Sequence, residues 1–342
     1  MRKPRSFAIP RLAALAASAA LVAGAAVAQP GTAEIVAYRG ATLIDGLGGV
    51  ARPGMVVVVK GERIIGVTPV ADFDRTPTAD ARVVDSTGLY VLPGLIDSHV
   101  HLATVPARAR AEATLRRQLF SGVTAVRDMA GDGRALADLS RSALLGELAA
   151  PDIRYAALIA GPGFFDDPRP RATARGATAG DAPWMQAVTA ATDLPRAIAR
   201  AEGTWAAGVK IYSDVPPQLL APIVAESHRQ GLQVWSHGAI FPSRPSEVIA
   251  AGVDTISHAC VLDYEFAQAM PPRYASEPTA TFTASATDFA PIFAEMRRRN
   301  VILDATLFAY GQRGFDAPGS PNRVLACDDS RASQITGWAW RA

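Results

Sequence analysis

The sequence predicts an α/β protein: a TIM-type (β/α)8 barrel lacking its eighth strand, preceded by part of a small β-sandwich domain. Three observations carry this. From residue 93 onward the chain repeats helix, glycine and apolar strand, and strands alternating with helices imply a parallel sheet. Residues 33–92 read instead as short strands joined by turns. Four of the five histidines fall where a predicted strand stops, which is where (β/α)8 barrels keep their sites; a doubly wound open sheet would gather ligands at one switch point.

Residues 1–28 read as a secretory signal. Arg2, Lys3, Arg5 and Arg11 precede an Ala/Leu/Val run that closes with Ala26-Val27-Ala28, a small-residue cleavage site. The run is short and Ala-rich for a spanning helix. Cleavage after Ala28 is therefore expected, with a periplasmic or secreted product and no membrane contact once the signal is gone. Removing its four basic residues takes the formal charge from +2 to −2, so the basic balance belongs to the leader. No Lys/Arg cluster with interleaved aromatics remains, which argues against nucleic acid as a partner. The whole chain has 342 residues, 49% apolar and 19% charged, a globular balance with a sizeable core. Cys260 and Cys327 are two thiols whose pairing cannot be read from the sequence, and no obligatory disulfide is expected.

Residues 29–92 form the predicted sandwich part, with strands at 41–46, 55–60, 63–67 and 82–85; Lys60-Gly61-Glu62 between apolar runs is a hairpin signal. Residues 93–342 form the barrel. Strands are expected near 94–99, 122–128, 152–160, 207–212, 231–236, 252–257 and 300–308. Helices are expected near 107–120, 133–149, 193–206, 216–229, 243–250 and 285–299. Gly122, Gly208, Gly231 and Gly252 each follow a helical segment, as left-handed C-cap glycines do. The residues from Asp328 on resemble a helix start where an eighth strand is due, so the sequence reads as truncated.

Pro93-Gly94-Leu95-Ile96-Asp97-Ser98-His99-Val100-His101 sets two histidines on one strand face, a chelating pair. His237 ends the run 232–236 and His258 ends 253–257. His228 sits in the last turn of a helix before Gly231 and suits a cation near a helix C-terminus. Each has a plainer reading: a strand His pair can be a polar face, and Lys210 a surface lysine. Yet Lys210, flanked by Val209 and Ile211 in an apolar strand, is expensive to bury without an anionic role. The segment 161–184, rich in Gly, Pro, Ala and Arg, is long enough for a lid, and Arg169, Arg171 or Arg175 could clamp a substrate carboxylate.

The segment 92–101 closely resembles the first barrel strand of the amidohydrolase superfamily. Gly122 to Asp128 resembles its second strand, Gly208 to Tyr212 its fourth, Trp235-Ser236-His237-Gly238 its fifth and Ile256-Ser257-His258-Ala259 its sixth. The nearest branch is the imidazolonepropionase-like and Xaa-Pro dipeptidase group. The resemblance implies two divalent metal ions, zinc by preference: one on His99 and His101, one on His237 and His258, bridged by Lys210 carbamylated by carbon dioxide. A metal-activated hydroxide would then attack a small-molecule amide or dipeptide. Tyr212, on Lys210's face of the strand, either donates to the developing oxyanion or packs against the barrel wall.

The family also requires an aspartate at the end of strand eight. Asp328 reads as a helix N-terminal residue and Asp304 as lying near the start of strand seven, so neither fills the role. Two alternatives therefore stand beside the exported metal-dependent hydrolase: a catalytically inactive metal-binding fragment, and a non-enzymatic interaction fragment. Oligomeric state is not legible.

Overall fold

The computed structural model describes residues 34–273 and 288–306. The predicted signal, the segment around Asp328 and Cys327 lie outside these residues. The chain divides into two compact units, Met1–Pro93 and Gly94–Ala342.

The first unit is a mixed sheet of β1 (Ile35–Leu43), β2 (Arg52–Lys60), β3 (Arg63–Pro69), β4 (Arg82–Asp85) and β5 (Tyr90–Val91), with a short helix α1 (Val70–Arg75). β1 is central, antiparallel to β2 and parallel to β4 and β5. The β2–β3 hairpin turns at Gly61-Glu62, with Lys60 opposite Arg63. β1 begins six residues before the Ala41 start read from the sequence. The cause is Gly40, whose φ of +92° carries a register shift between Arg39 and Ala41 and breaks the apolar alternation of an otherwise continuous strand. Ala37, Val56, Val58 and Phe73 form the buried side of this sheet.

In the second unit β6 (Leu95–Val100), α2 (Arg108–Phe120), β7 (Val123–Asp128), α3 (Gly133–Leu144) and β8 (Asp152–Ala160) form the first repeats. A 3-10 turn (Pro162–Asp166), α4 (Pro168–Thr173) and the short strands β9 (Asp181–Ala182) and β10 (Met185–Ala187) follow. Then come α5 (Leu194–Glu202), β11 (Gly208–Ile211), α6 (Pro217–Arg229), β12 (Gln233–His237), α7 (Pro245–Ala250), β13 (Thr255–Ser257), α8 (Ala290–Arg299) and β14 (Ile302–Asp304). Seven strands run parallel in the order β6, β7, β8, β11, β12, β13, β14 and make a nearly closed barrel. Among the described residues β6 and β14 are its two edges.

The helices start where the sequence supplies a cap. The Asp132 carboxylate accepts from Arg134 N–H, and Asp193 accepts from Arg196 N–H. Their apolar stripes bury Leu136, Leu139 and Ile198 against the outward faces of the strands, together with Val209, Val234 and Ile256. Fully burying side chains of this size is worth about 1.5–3 kcal/mol each, and this seam holds each strand end where its histidine emerges.

Three expectations are corrected. Gly122, Gly231 and Gly252 have φ between +80° and +87°, as left-handed caps do, but Gly208 does not. Helix α5 stops at Glu202, and Trp205 takes the positive φ of +59°. Gly208 is instead a strand residue facing Gln233, whose carbonyl oxygen lies 2.6 Å from where a Cβ would sit. The segment 161–184 is not an open loop, because Phe164, Phe165, Ala174, Ala182 and Trp184 pack into one buried cluster. Cys260 is disulfide-bonded, where the sequence left pairing open and no obligatory disulfide was expected.

Candidate metal centre

His99 lies within β6 and His101 just after it. Lys210 lies in β11, His237 ends β12, and His258 follows β13 directly. Parallel register places Lys210 beside Trp235 of β12 and Ser236 beside Ile256, so the strand ends open on one side of the barrel. There the rings gather. His99 lies 5.4 Å from His101 and 4.7 Å from His258, centre to centre; His237 lies 4.5 Å from His258 and 4.2 Å from Tyr212. Lys210 Nζ sits 5.1 Å from the Tyr212 ring centre. All five residues expected to ligate, and Tyr212, thus meet in one place, while His228 lies apart and pairs with Asp254 at 2.9 Å.

Each of three imidazoles is held through Nδ1. His99 Nδ1 is 2.8 Å from Asp304 Oδ2, His101 Nδ1 is 3.3 Å from the Ala130 carbonyl oxygen, and His258 Nδ1 is 2.9 Å from Thr306 Oγ1. Such outer partners fix ring orientation and leave Nε2 to face the site. His258 does this at φ +73°, a left-handed conformation that costs a non-glycine residue on the order of 1–3 kcal/mol and tends to persist at functional sites.

Burial governs the ionisation of the cluster. His101 is pushed down to about 3 by desolvation and then by Lys210. Desolvation likewise carries His99, His237 and His258 well below the usual imidazole range, with neighbouring cations adding to it. All four are therefore neutral, the form that binds metal. Desolvation lowers Lys210 to about 7, against an opposing pull from Asp128 and Asp304.

The residues fit a divalent-ion site. His99 Nε2 and Lys210 Nζ are both buried without a hydrogen-bond partner, a costly state for two polar atoms in one cluster unless a ligand completes them. No three His, Cys, Asp or Glu side chains among the described residues stand as a finished metal-binding group.

Sequence reasoning missed three residues here. Asp304 ends β14 rather than lying near its start; paired with Ser257, it is buried under the histidines and bonded to His99. Arg127 bonds the Ser98 carbonyl at 2.8 Å and Asp304 at 3.3 Å, with its guanidinium over Trp235. Asp128, fully buried, accepts from Leu102 N–H through Oδ2, keeps Oδ1 unpartnered, and is raised to about 7 chiefly by desolvation. A signal was present: Arg127-Asp128 is a charged pair ending an apolar strand, as costly to bury as Lys210. Of the arginines considered as clamps, Arg169 is tied to Asp167 at 2.8 Å and contributes to the lowering of His101.

No family model matches the chain. A segment of it is 44% identical over 72 residues to an N-acyl-D-aspartate deacylase from Alcaligenes xylosoxydans xylosoxydans, covering 21% of this chain and 13% of that protein. Another match, 36% identical over 78 residues, is to an adenine deaminase from Rubrobacter xylanophilus, covering 23% and 12%. The chain thus spans only about an eighth of the length of these curated relatives. Among solved structures, a Bifidobacterium longum protein assigned as a prolidase is 26% identical with a TM-score of 0.51, over 66% of this chain and 55% of that one. A prolidase in complex with N-methylphosphonate-L-proline shares the fold at 21% identity and a TM-score of 0.61, over 88% and 73%. Barrel architecture and these local sequence matches make the chain similar to proteins of the amidohydrolase superfamily.

Proposed function

We propose that this chain is a metal-dependent hydrolase of amide bonds in small molecules such as dipeptides or N-acyl amino acids, with two divalent ions, zinc by preference, held by His99, His101, His237 and His258. The observation that carries the reading is the convergence of four neutral imidazoles on a buried lysine whose Nζ has no partner. Relatives that act on C–N bonds, a deacylase and prolidases, support the reaction class.

A bridging role for Lys210 needs an anion at that position. With its amine lowered to about 7, a large neutral fraction exists at physiological pH. The nitrogen lone pair adds to the carbon of carbon dioxide, one C=O electron pair moves onto oxygen, and one proton leaves the nitrogen. A carbamate anion results, compensating the cost of burying the side chain. Divalent ions in such a cluster lower the pKa of water and polarise an amide carbonyl. The four histidines would hold those ions, with His99, His101 and His258 oriented by the Nδ1 contacts described above, while the buried wall excludes bulk water and the Tyr212 hydroxyl donates toward the carbonyl oxygen as negative charge develops there. The leader supports export, with the mature chain starting at Gln29 and working in the periplasm or outside the cell.

The full chain, incubated with zinc and bicarbonate and then freed of excess metal, is expected to retain two ions per chain by elemental analysis and to hydrolyse members of a dipeptide panel. His237→Ala combined with His258→Ala should lower the stoichiometry; an unchanged metal content would overturn the two-ion reading.

A further inference from the structure

We infer that Asp304 is a positioning residue: it holds His99 in the tautomer protonated on Nδ1, leaving the Nε2 lone pair aimed at the ligand cluster, and it clasps the first barrel strand to the seventh. The inference rests on the metal-binding reading above and concerns a residue on a different strand from the aspartate that the superfamily pattern calls for.

The carboxylate is held by four side chains. Oδ1 accepts from Ser98 Oγ at 3.0 Å. Oδ2 lies 2.8 Å from His99 Nδ1, accepts from Ser257 Oγ at 3.1 Å and receives Arg127 Nη2 at 3.3 Å. A carboxylate offers about four lone-pair sites, two on each oxygen, so three partners occupy Oδ2 completely while Oδ1, bonded to Ser98, keeps one site. What Asp304 can do is impose direction. Beside an acceptor-only carboxylate, Nδ1 must carry the hydrogen, and in a neutral ring Nε2 then carries the lone pair. Nε2 is the atom that the structure leaves buried and unpartnered. Arg127, itself fixed on the Ser98 carbonyl and Trp235, keeps the carboxylate in place from the other side.

The same contacts join two strands that share no backbone pairing among the described residues. β6 and β14 are the barrel's outer strands, and Ser98 and His99 of one reach Asp304 of the other across more than two hundred residues of sequence. His99 is thereby positioned relative to His258, because the His258 N–H donates to the Asp304 carbonyl oxygen at 2.9 Å. One residue thus sets a ligand of each of the two proposed ions.

The test is a long-range nitrogen–proton correlation spectrum of the imidazoles in the metal-free full chain, with His99 assigned by the signal lost in His99→Gln. Wild type should show the Nδ1-protonated pattern for His99, and Asp304→Ala should lose it. Zinc affinity by chelator competition should fall about 10–100-fold in Asp304→Ala, with part recovered in Asp304→Asn, which keeps one acceptor oxygen. A wild-type His99 protonated on Nε2 would overturn the inference, and that measurement decides the matter even if Asp304→Ala does not fold. Loss of one whole ion in Asp304→Ala with the His99 tautomer unchanged would also overturn it, by making Asp304 a direct ligand. A chain that binds no zinc yet shows the Nδ1 tautomer would sink the metal reading while supporting the positioning role.

Discussion

Lys210 Nζ lies 5.1 Å from the centre of the Tyr212 ring and has no hydrogen-bond partner, although its strand neighbours bury it completely. An ammonium in that position is stabilised by the ring face and by the charges of Asp128 and Asp304, but desolvation outweighs them and the amine titrates near 7.

The stability of the metal-free protein should therefore depend on pH in a defined window. Unfolded, Lys210 holds its proton up to the ordinary lysine value of 10.5; folded, it loses it near 7. Between these values the unfolded chain binds more protons, so this residue makes stability rise with pH from about 7 to about 10.5, and the full cost of burying the ammonium applies below 7. Lys210→Met should raise the metal-free stability at pH 7 by on the order of a few kcal/mol, with a higher Tm, and the gap should close toward pH 10.5. Thermal unfolding across pH reads this directly. The same substitution should abolish any bicarbonate-dependent zinc uptake.

Tyr212→Phe separates donation from packing. The ring stacks on Phe164 at 4.5 Å and His237 at 4.2 Å, contacts that phenylalanine keeps. Removal of an oxyanion donor should lower kcat by about 10²–10³ with little change in KM or Tm. An unchanged kcat would leave the tyrosine as barrel wall.

Much of this arrangement was legible in the sequence because the barrel's alternation is local. Helix stripes, Gly122, Gly231 and Gly252, and the histidines at strand ends are all read within one repeat, and the structure brings His99, His101, Lys210, His237 and His258 together. Asp304 was not legible. Its strand spans only Ile302–Asp304, so a reading extended to residue 308 put the aspartate near the start rather than at the end. Its partners Ser98 and His99 lie on the opposite edge of the sheet, a closure that no local pattern announces. Gly208 misled for the opposite reason: a glycine after a helix suggests a cap, whereas a cross-strand carbonyl is what excludes a side chain there.

Expression with the leader intact should give a periplasmic species whose intact mass begins at Gln29, from the order of basic, apolar and small residues in 1–28. A full-length cytosolic product would refute export without bearing on the metal cluster.

Gly208→Ala should couple strand packing to the site. A Cβ at this position meets the Gln233 carbonyl oxygen at 2.6 Å and its carbon at 3.2 Å, and both belong to backbone already paired across β11 and β12. The strands must separate locally, an overpacking cost of about 1–3 kcal/mol, which lowers Tm by several degrees in a domain of this size. Lys210 lies two residues along the same strand and moves with it, so zinc affinity should fall as well. Gly203→Ala is the control. Gly203 caps α5 in a right-handed conformation, and its Cβ would approach the Ala199 carbonyl oxygen no closer than 3.4 Å. Alanine there should be tolerated and leave zinc binding unchanged. Equal Tm for the two variants would mean that the close approach of β11 to β12 does not constrain the strand that carries Lys210.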